Sequence, residues 1–596
     1  MSDLIREAPL GQIIRLLTRN KLYQYPEEKE GFQIPWPGFS DNKEEPEDEG
    51  LARESSEEIQ REPSKKELED TELGQQMTQD ADMTEARLAR TKTRETTAQW
   101  TEERFQVEQE EAITRTKSVV VVPTKTKDGV TLVDWYTTDD PDNPQNWSSL
   151  KKVYVCVLIF LYTFAVYSSS AIYTSAQEQV MERFDISYSR ASLILSLYVI
   201  GYGVGPLLFS PLSEVPLFGR NAPYMVSFAL FVILALPTAL IDNYAGLLVL
   251  RFLTGFMGSP CLATGGATMQ DMYSLLKLPY ALSAWVAAAF CGPALGPLIS
   301  GFAVQAENWR WPFWEILWLS GPIWLLWFFT MPETSAGNIL LRRARRLRAL
   351  TGNDKLLSQS EIDQGTKAFS TIVYEALLVP AIICVKDPAV LFTNAYSAFI
   401  YSIYYSFFEA FPLAYIGIYG FNIGELGIVF VCIVVSCLVG IAIYIAYQWY
   451  YLEPDIIKNG LRAQEHRLVP ALFAVWLLPI ALFWFGWTAR ASIHWIVSII
   501  GITFFGIGAF VLFQCIFMYL PLTYPPYAAS LFATNDAFRS LWAAGSIIYA
   551  HPMYVNLGLG RGTSILGGLA AGGGLGVIAL WYFGAKLRAK SKFALS

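Results

Sequence analysis

Twelve apolar stretches, each long enough to cross a bilayer, lie between Lys152 and Phe583. They form two sets of six around a polar, Arg-rich interval of 55 residues from Pro332 to Lys386. Hydrocarbon offers the backbone no hydrogen-bond partner, so a chain crosses it only as helices or as a closed barrel. None of the stretches alternates with period two, as barrel strands do. The expected fold class is therefore an all-α polytopic membrane protein: twelve transmembrane helices in two six-helix bundles. The first bundle is expected at 152–174, 190–210, 222–241, 245–268, 279–303 and 311–331. The second is expected at 387–412, 424–447, 467–488, 491–516, 527–550 and 560–585.

Charge divides the chain further. Residues 1–150 hold 33 Asp and Glu against 19 Lys and Arg, so this tail carries −14 while the whole chain carries −8. So polar a segment cannot bury enough apolar surface to offset its chain entropy, and it reads as mostly disordered. Within it, Ala81–Lys117 has the composition of a transient helix, and Ile13-Ile14-Arg15-Leu16-Leu17 is too short for a signal peptide. The expected units are an acidic tail (1–150), a first bundle (151–331), a basic central loop (332–386), a second bundle (387–585) and a basic end (586–596).

Basic residues gather at alternate loops: Lys151 and Lys152, Arg220, Lys277, then Arg342, Arg343, Arg345, Arg346 and Arg348, then Lys458, Arg462 and Arg467, and finally Lys586, Arg588, Lys590 and Lys592, with only scattered positives such as Arg183, Arg310, Arg490 and Arg561 opposite. Positive loops stay in the cytoplasm, which places both termini there. The sequon Asn146-Trp147-Ser148 is then cytoplasmic and expected to stay unglycosylated. The seven cysteines lie in or beside apolar stretches without metal-ligand spacing, and the three histidines do not cluster in sequence. Neither a disulfide framework nor a metal site is expected. No cofactor is expected either, and the absence of any nucleophile–base or metal constellation argues against an enzyme. No Gly-rich phosphate loop of the ATPase type occurs.

Short motifs mark the bundles. Between the second and third spans stand Gly205, Pro206, Ser210, Glu214, Gly219 and Arg220. This run resembles the cytoplasmic loop signature of the major facilitator superfamily, Gly-x-Leu-x-Asp followed by Gly-Arg. Ser210 replaces the first Gly, Glu214 replaces the Asp, and two extra residues precede Gly219. The fourth span carries Arg251-Phe252-Leu253-Thr254-Gly255, similar to the family's Arg-x-x-x-Gly element. In the fifth, Gly292-Pro293-Ala294-Leu295-Gly296-Pro297 is similar to its Gly-Pro-x-x-Gly antiporter motif, with Pro297 in place of a second Gly. Asp142–Trp147, Ala533–Ser540 and Tyr25-Pro26-Glu27-Glu28 also look like the fungal drug:proton antiporter branch of twelve-spanners, nearest to yeast transporters of benomyl and azole resistance. The resemblance covers essentially residues 130–596.

That resemblance implies two rocking bundles with a site near the midplane. It implies that Arg251 helps a neighbouring acid release its proton, that Glu214 docks on the start of the eleventh span near Tyr527, and that Arg220 pairs with Asp271. It also implies that Gly292, Pro293, Gly296 and Pro297 bend and seal the fifth span. Plainer readings stand beside these. Arg251 is equally a helix-locking ion pair, Arg220 a topology marker, and the Gly-Pro run ordinary close packing.

Three acids are candidate proton acceptors. Glu409 lies in Tyr404-Tyr405-Ser406-Phe407-Phe408-Glu409-Ala410-Phe411, the kind of aromatic setting that tunes a carboxyl group for proton exchange. Asp536 and Arg539 are three apart, so a structural pair is the simpler account of both. Glu315 stands near an interface, within reach of water. Tyr167, Ser168, Ser169, Ser170 and Tyr173 of the first span, with Asn394, Tyr396, Tyr401 and Tyr404 of the seventh, suggest an aromatic chamber for bulky neutral compounds. The expected partners are small hydrophobic molecules, protons and lipid, with no nucleic acid, and a monomer is the simplest state. The function expected is proton-driven export of hydrophobic drugs, fungicides or secondary metabolites across the plasma membrane, giving multidrug resistance. A nutrient importer and a transport-inactive receptor signalling through its tail are the alternatives.

Overall fold

The computed structural model describes residues 2–36, 118, 120–123, 129–365, 382–384, 386–460, 462–523 and 528–589. The expected tail disorder, for residues 37–117, lies outside the described residues. So do the expected helix Ala81–Lys117, Tyr527, and Lys590 and Lys592.

Each half begins with a span whose end is capped by a side chain. Ser148 accepts from the Lys151 backbone N–H, and Asp387 accepts from those of Ala389 and Val390. These bonds satisfy amides that the first helical turn leaves open. The first half comprises Ser149–Ala171, Tyr188–Glu214, Asn221–Leu240, Tyr244–Met272, Leu278–Ala306 and Trp311–Thr330. The second comprises Pro388–Phe411, Ile423–Tyr447, Val469–Thr488, Trp495–Thr523, Ala528–Leu557 and Leu559–Arg588. The fourth span breaks at Ser259, where Pro260 supplies no amide hydrogen.

Ten helices among the described residues are long and apolar enough to cross a membrane. The seventh and eleventh spans are not among them, because they are rich in Tyr, Ser, Thr and Asn. The seventh is mostly buried in protein, whereas the eleventh also exposes Leu541, Trp542, Ile548, Val555 and Leu557. The two spans pack on each other, and the eleventh also packs on the second and fourth spans of the other half. The fifth span likewise meets the eighth and tenth. The polar spans therefore sit at the seam between the halves, where their hydrogen bonds find partners.

The tail folds at its two ends, which composition alone did not reveal. Short helices Ser2–Glu7 and Pro9–Leu17 lie against the third and sixth spans. Strand β1 (Thr131–Val133) pairs in parallel with strand β2 (Leu356–Ser358) of the central loop. Trp36, Val133, Ala344, Leu347 and Leu356 form a small second core there. What composition hid is charge matching. Arg343, 1 % exposed, bonds Asp140 at 2.7 Å and Asp142 at 2.7 Å, stands 3.5 Å from Glu27, and lies over Tyr136. Arg346 pairs with Glu27 at 3.2 Å over the Tyr25 ring, and Arg15 pairs with Glu28 at 2.6 Å. Carboxylates at the described ends of the tail thus pair with Arg343 and Arg346 of the basic loop. Asn146 of the sequon donates its amide to the carbonyls of Thr138 and Asp140.

Candidate functional site

The chemistry gathers along the seam between the halves. Near one end, Glu409 of the seventh span is 2 % exposed and accepts a 2.5 Å bond from the hydroxyl of Tyr188, at the start of the second span. The Tyr188 ring stacks on His551 of the eleventh, with centroids 3.8 Å apart. A carboxylate of one half is thereby tied to a tyrosine of the other. Beside it the fifth span meets the start of the eighth through glycines. A Cβ on Gly427 would stand 2.7 Å from the Pro297 carbonyl, and one on Gly301 would stand 2.9 Å from that of Ile423. The halves touch backbone to backbone here, so this end is shut.

The opposite end is also shut. Lys277 bonds Glu453 at 2.5 Å, Tyr280 donates to the same carboxylate at 2.8 Å, and Gln514 donates to the Pro279 carbonyl. The two halves thus make contact at both ends of the seam.

Between the ends, Tyr202 bonds Tyr401 at 3.1 Å and Tyr405 at 2.9 Å, and Ser170 bonds Tyr405 at 3.1 Å. Tyr404 donates to the Phe290 carbonyl, again across the seam. Tyr167 stacks edge-on against Tyr202. Arg539 pairs with Asp536 at 2.6 Å and lies over the rings of Tyr401, Phe513 and Phe517. The Arg539 Nε finds no partner among the described residues, so the pair keeps spare bonding capacity. Asn535 donates to Asn394 at 2.7 Å and to Ser397 at 2.9 Å.

Several expected residues lie elsewhere. Arg251 is fully buried inside the first half and has no ion-pair partner among the described residues. It donates to the carbonyls of Ser169, Ser170 and Ile194 and lies 4.3 Å over the Tyr198 ring. The locking ion pair is not found among the described residues, and backbone carbonyls of the first and second spans accept from the guanidinium instead. Tyr396 turns away from the seam to the Ala570 carbonyl of the twelfth span. Tyr173 bonds the Ala191 carbonyl within the first half. Glu315 is half-buried, and one of its oxygens has no partner.

In the loop after the second span, Arg220 bonds Asp271 at 3.1 Å and Ser213 at 3.1 Å. The Glu333 carboxylate accepts from the backbone amides of Arg220, Asn221, Thr334 and Ser335. Gly219 has φ +68°, and a Cβ there would press into that carboxylate. Ser210 is buried, and Gly205 presses on Ser259 and the Phe256 backbone. Glu214 is exposed, and the end of the eleventh span expected to receive it includes residues 524–527, which lie outside the described residues. Among the described residues no group of His, Cys, Asp and Glu could hold a metal ion.

In the fifth span, Gly292 and Gly296 face the first span. A Cβ on Gly296 would stand 2.8 Å from the Ile172 nitrogen and the Ser168 carbonyl. Gly296→Val is accordingly expected to force these helices apart at about 1–3 kcal/mol. The expected readout is a lower yield of monodisperse protein on size exclusion and a lower melting temperature. Sequence reasoning missed Tyr188, His551, Tyr202 and Asn535. They stand on separate spans from most of their partners, so no spacing along the chain could have joined them.

The Major Facilitator Superfamily pattern matches residues 158–550. The chain is similar to the MFS-type transporter pyvG of Aspergillus violaceofuscus, 44 % identical over 79 % of this chain and 87 % of that one. It is 39 % identical to the cycloheximide resistance protein of Candida maltosa, over 78 % of this chain and 86 % of that one. It is 40 % identical to fluconazole resistance protein 1 of Saccharomyces cerevisiae, over 77 % and 84 %. Among solved structures, the human organic anion transporter MFSD10 shares the fold, with TM-score 0.52 at 14 % identity over 72 % of this chain and 99 % of that one.

Proposed function

The chain belongs to the major facilitator superfamily, a family of transporters and not of enzymes, and from that premise we propose that it is a proton-coupled exporter of hydrophobic toxicants. The reading rests on one observation above others: a buried carboxylate, Glu409, is bonded across the seam to Tyr188 of the opposite half. A hydroxyl bond to an ionised carboxylate is roughly twice as strong as one to a neutral acid. A proton taken up by Glu409 weakens the link that shuts this end, so proton load and access become one variable.

The aromatic cluster of the seam suits greasy cargo. Tyr167, Tyr202, Tyr401, Tyr404 and Tyr405 supply flat apolar faces, most with hydroxyls already paired, and Asp536 with Arg539 supplies the spare polar contacts. Relatives named for cycloheximide and fluconazole resistance support cargo of that type. Basic loops place both termini in the cytoplasm, which puts Glu409 and Tyr188 at the outer end and Lys277 and Glu453 at the inner end. The plasma membrane is the compartment proposed.

One proton suffices. A charge crossing 100 mV yields about 2.3 kcal/mol and two pH units add about 2.7 kcal/mol. Together they sustain a cargo ratio on the order of several thousand. Reconstituted liposomes with an imposed pH difference test this. A hydrophobic dye is expected to move against its gradient and to stop when a protonophore is added. Transport that persists unchanged after the gradient collapses would overturn the reading.

A further inference from the structure

The folded start of the chain encloses a cavity of about 900 Å³ beside the spans. Its walls come from six places: the first short helix (Leu4, Ile5), the turn at Pro26 and Lys29, the segment before the first span (Asp142, Trp147), the start of that span (Leu150, Tyr154), the end of the sixth (Thr330) and the central-loop helix (Ile339, Arg342). The ends of the first and sixth spans put it at the depth of lipid headgroups on the central-loop side. Leu150, which lines it, is 82 % exposed, so the mouth opens toward the hydrocarbon edge.

Its charges are unequal. Every acid in the wall is already engaged: Glu333 by four backbone amides, Asp142 by Arg343, and Glu7 by Arg6 and the Tyr25 hydroxyl. Arg342 and Lys29 line the same cavity with no carboxylate partner among the described residues. Lys151 stands over the Trp147 ring at the rim. Next to the cavity, the helix Pro9–Leu17 turns Ile13, Leu16 and Leu17 outward, and Leu16 is 79 % exposed. That apolar face adjoins the sixth span, whose Leu326 and Phe329 are also exposed, so it continues the belt that lipid covers.

We propose that this cavity is a binding site for one anionic phospholipid of that leaflet. The phosphate headgroup sits between Arg342 and Lys29, and an acyl chain leaves past Leu150, Tyr154 and Ile5. The lipid then joins the first helix, the first span and the central loop into one unit. The assignment rests on bilayer placement alone and is independent of the transport reading.

The test uses the full chain in nanodiscs containing photoreactive phosphatidylserine, with labelled peptides mapped by mass spectrometry. Label is expected between Leu4 and Pro26 or between Ser148 and Tyr154. Unlabelled phosphatidylserine should compete, whereas phosphatidylcholine and inorganic phosphate should not. Arg342→Gln with Lys29→Gln should weaken phosphatidylserine competition about 30-fold, for two cations each worth about 1 kcal/mol at an anionic surface. Label elsewhere, equal competition by phosphatidylcholine, competition by inorganic phosphate alone, or an unchanged double variant would each overturn the assignment. The peptide map of the unsubstituted protein decides even if that variant does not fold.

Discussion

Glu409→Gln is expected to reduce the cargo gradient from a ratio on the order of several thousand to about unity, while leaving the protein folded. The amide keeps an oxygen for the Tyr188 hydroxyl, so the 2.5 Å contact survives as a neutral bond and the packing around it is preserved. What is lost is the ability to exchange a proton. Downhill movement of the dye in liposomes should continue, and uphill movement should vanish. In a yeast lacking its drug exporters, the variant should protect no better than an empty vector. Tyr188→Phe separates the roles, since it removes the donor but keeps the acid. It should retain gradient-driven transport at an altered rate. Full protection by Glu409→Gln would move the proton site to Asp536, the other buried acid of the seam.

Arg343→Leu is expected to release the clasp that the ends of the tail form with the central loop. Removing the guanidinium takes the 2.7 Å cation from Asp140 and Asp142 and leaves Glu27 to Arg346 alone, at a cost of about 3–5 kcal/mol. Hydrogen exchange should rise in 129–146 and 336–358, and protease should cut there, while the spans stay protected. Unchanged protection would show that Arg343 does not hold the clasp.

Acid should act in the same direction. Burial pushes the Asp142 carboxyl up, but the charge and hydrogen bond of Arg343 outweigh it and leave the group below its ordinary value. Burial likewise raises Glu28, and bonds from Arg15 and the Tyr25 amide bring it below its ordinary value. A carboxyl depressed in the folded state stabilises above its unfolded value, about 3.9 for Asp and 4.3 for Glu. That contribution fades as pH falls through the folded values. The clasp should therefore hold at neutral pH and loosen only below about pH 4, by the same exchange readout.

The amino-acid sequence by itself determined the spans, because a run of apolar side chains has one outcome in lipid and local backbone bonding completes it. The expected and observed helices agree from Ser149 to Arg588 to within several residues, and the Arg220–Asp271 and Asp536–Arg539 pairs were legible because motif or helical spacing joins their members. Composition did not reveal the folding of the two ends of the tail, since net charge does not say which arginine meets which carboxylate. Only the tertiary structure decided that Arg251 rests on carbonyls, that Tyr396 leaves the seam, and that Tyr188, Glu409 and His551 meet. Those contacts join residues far apart in the chain. They depend on how twelve helices rotate and pair, and side-chain periodicity along one helix carries no record of its partner.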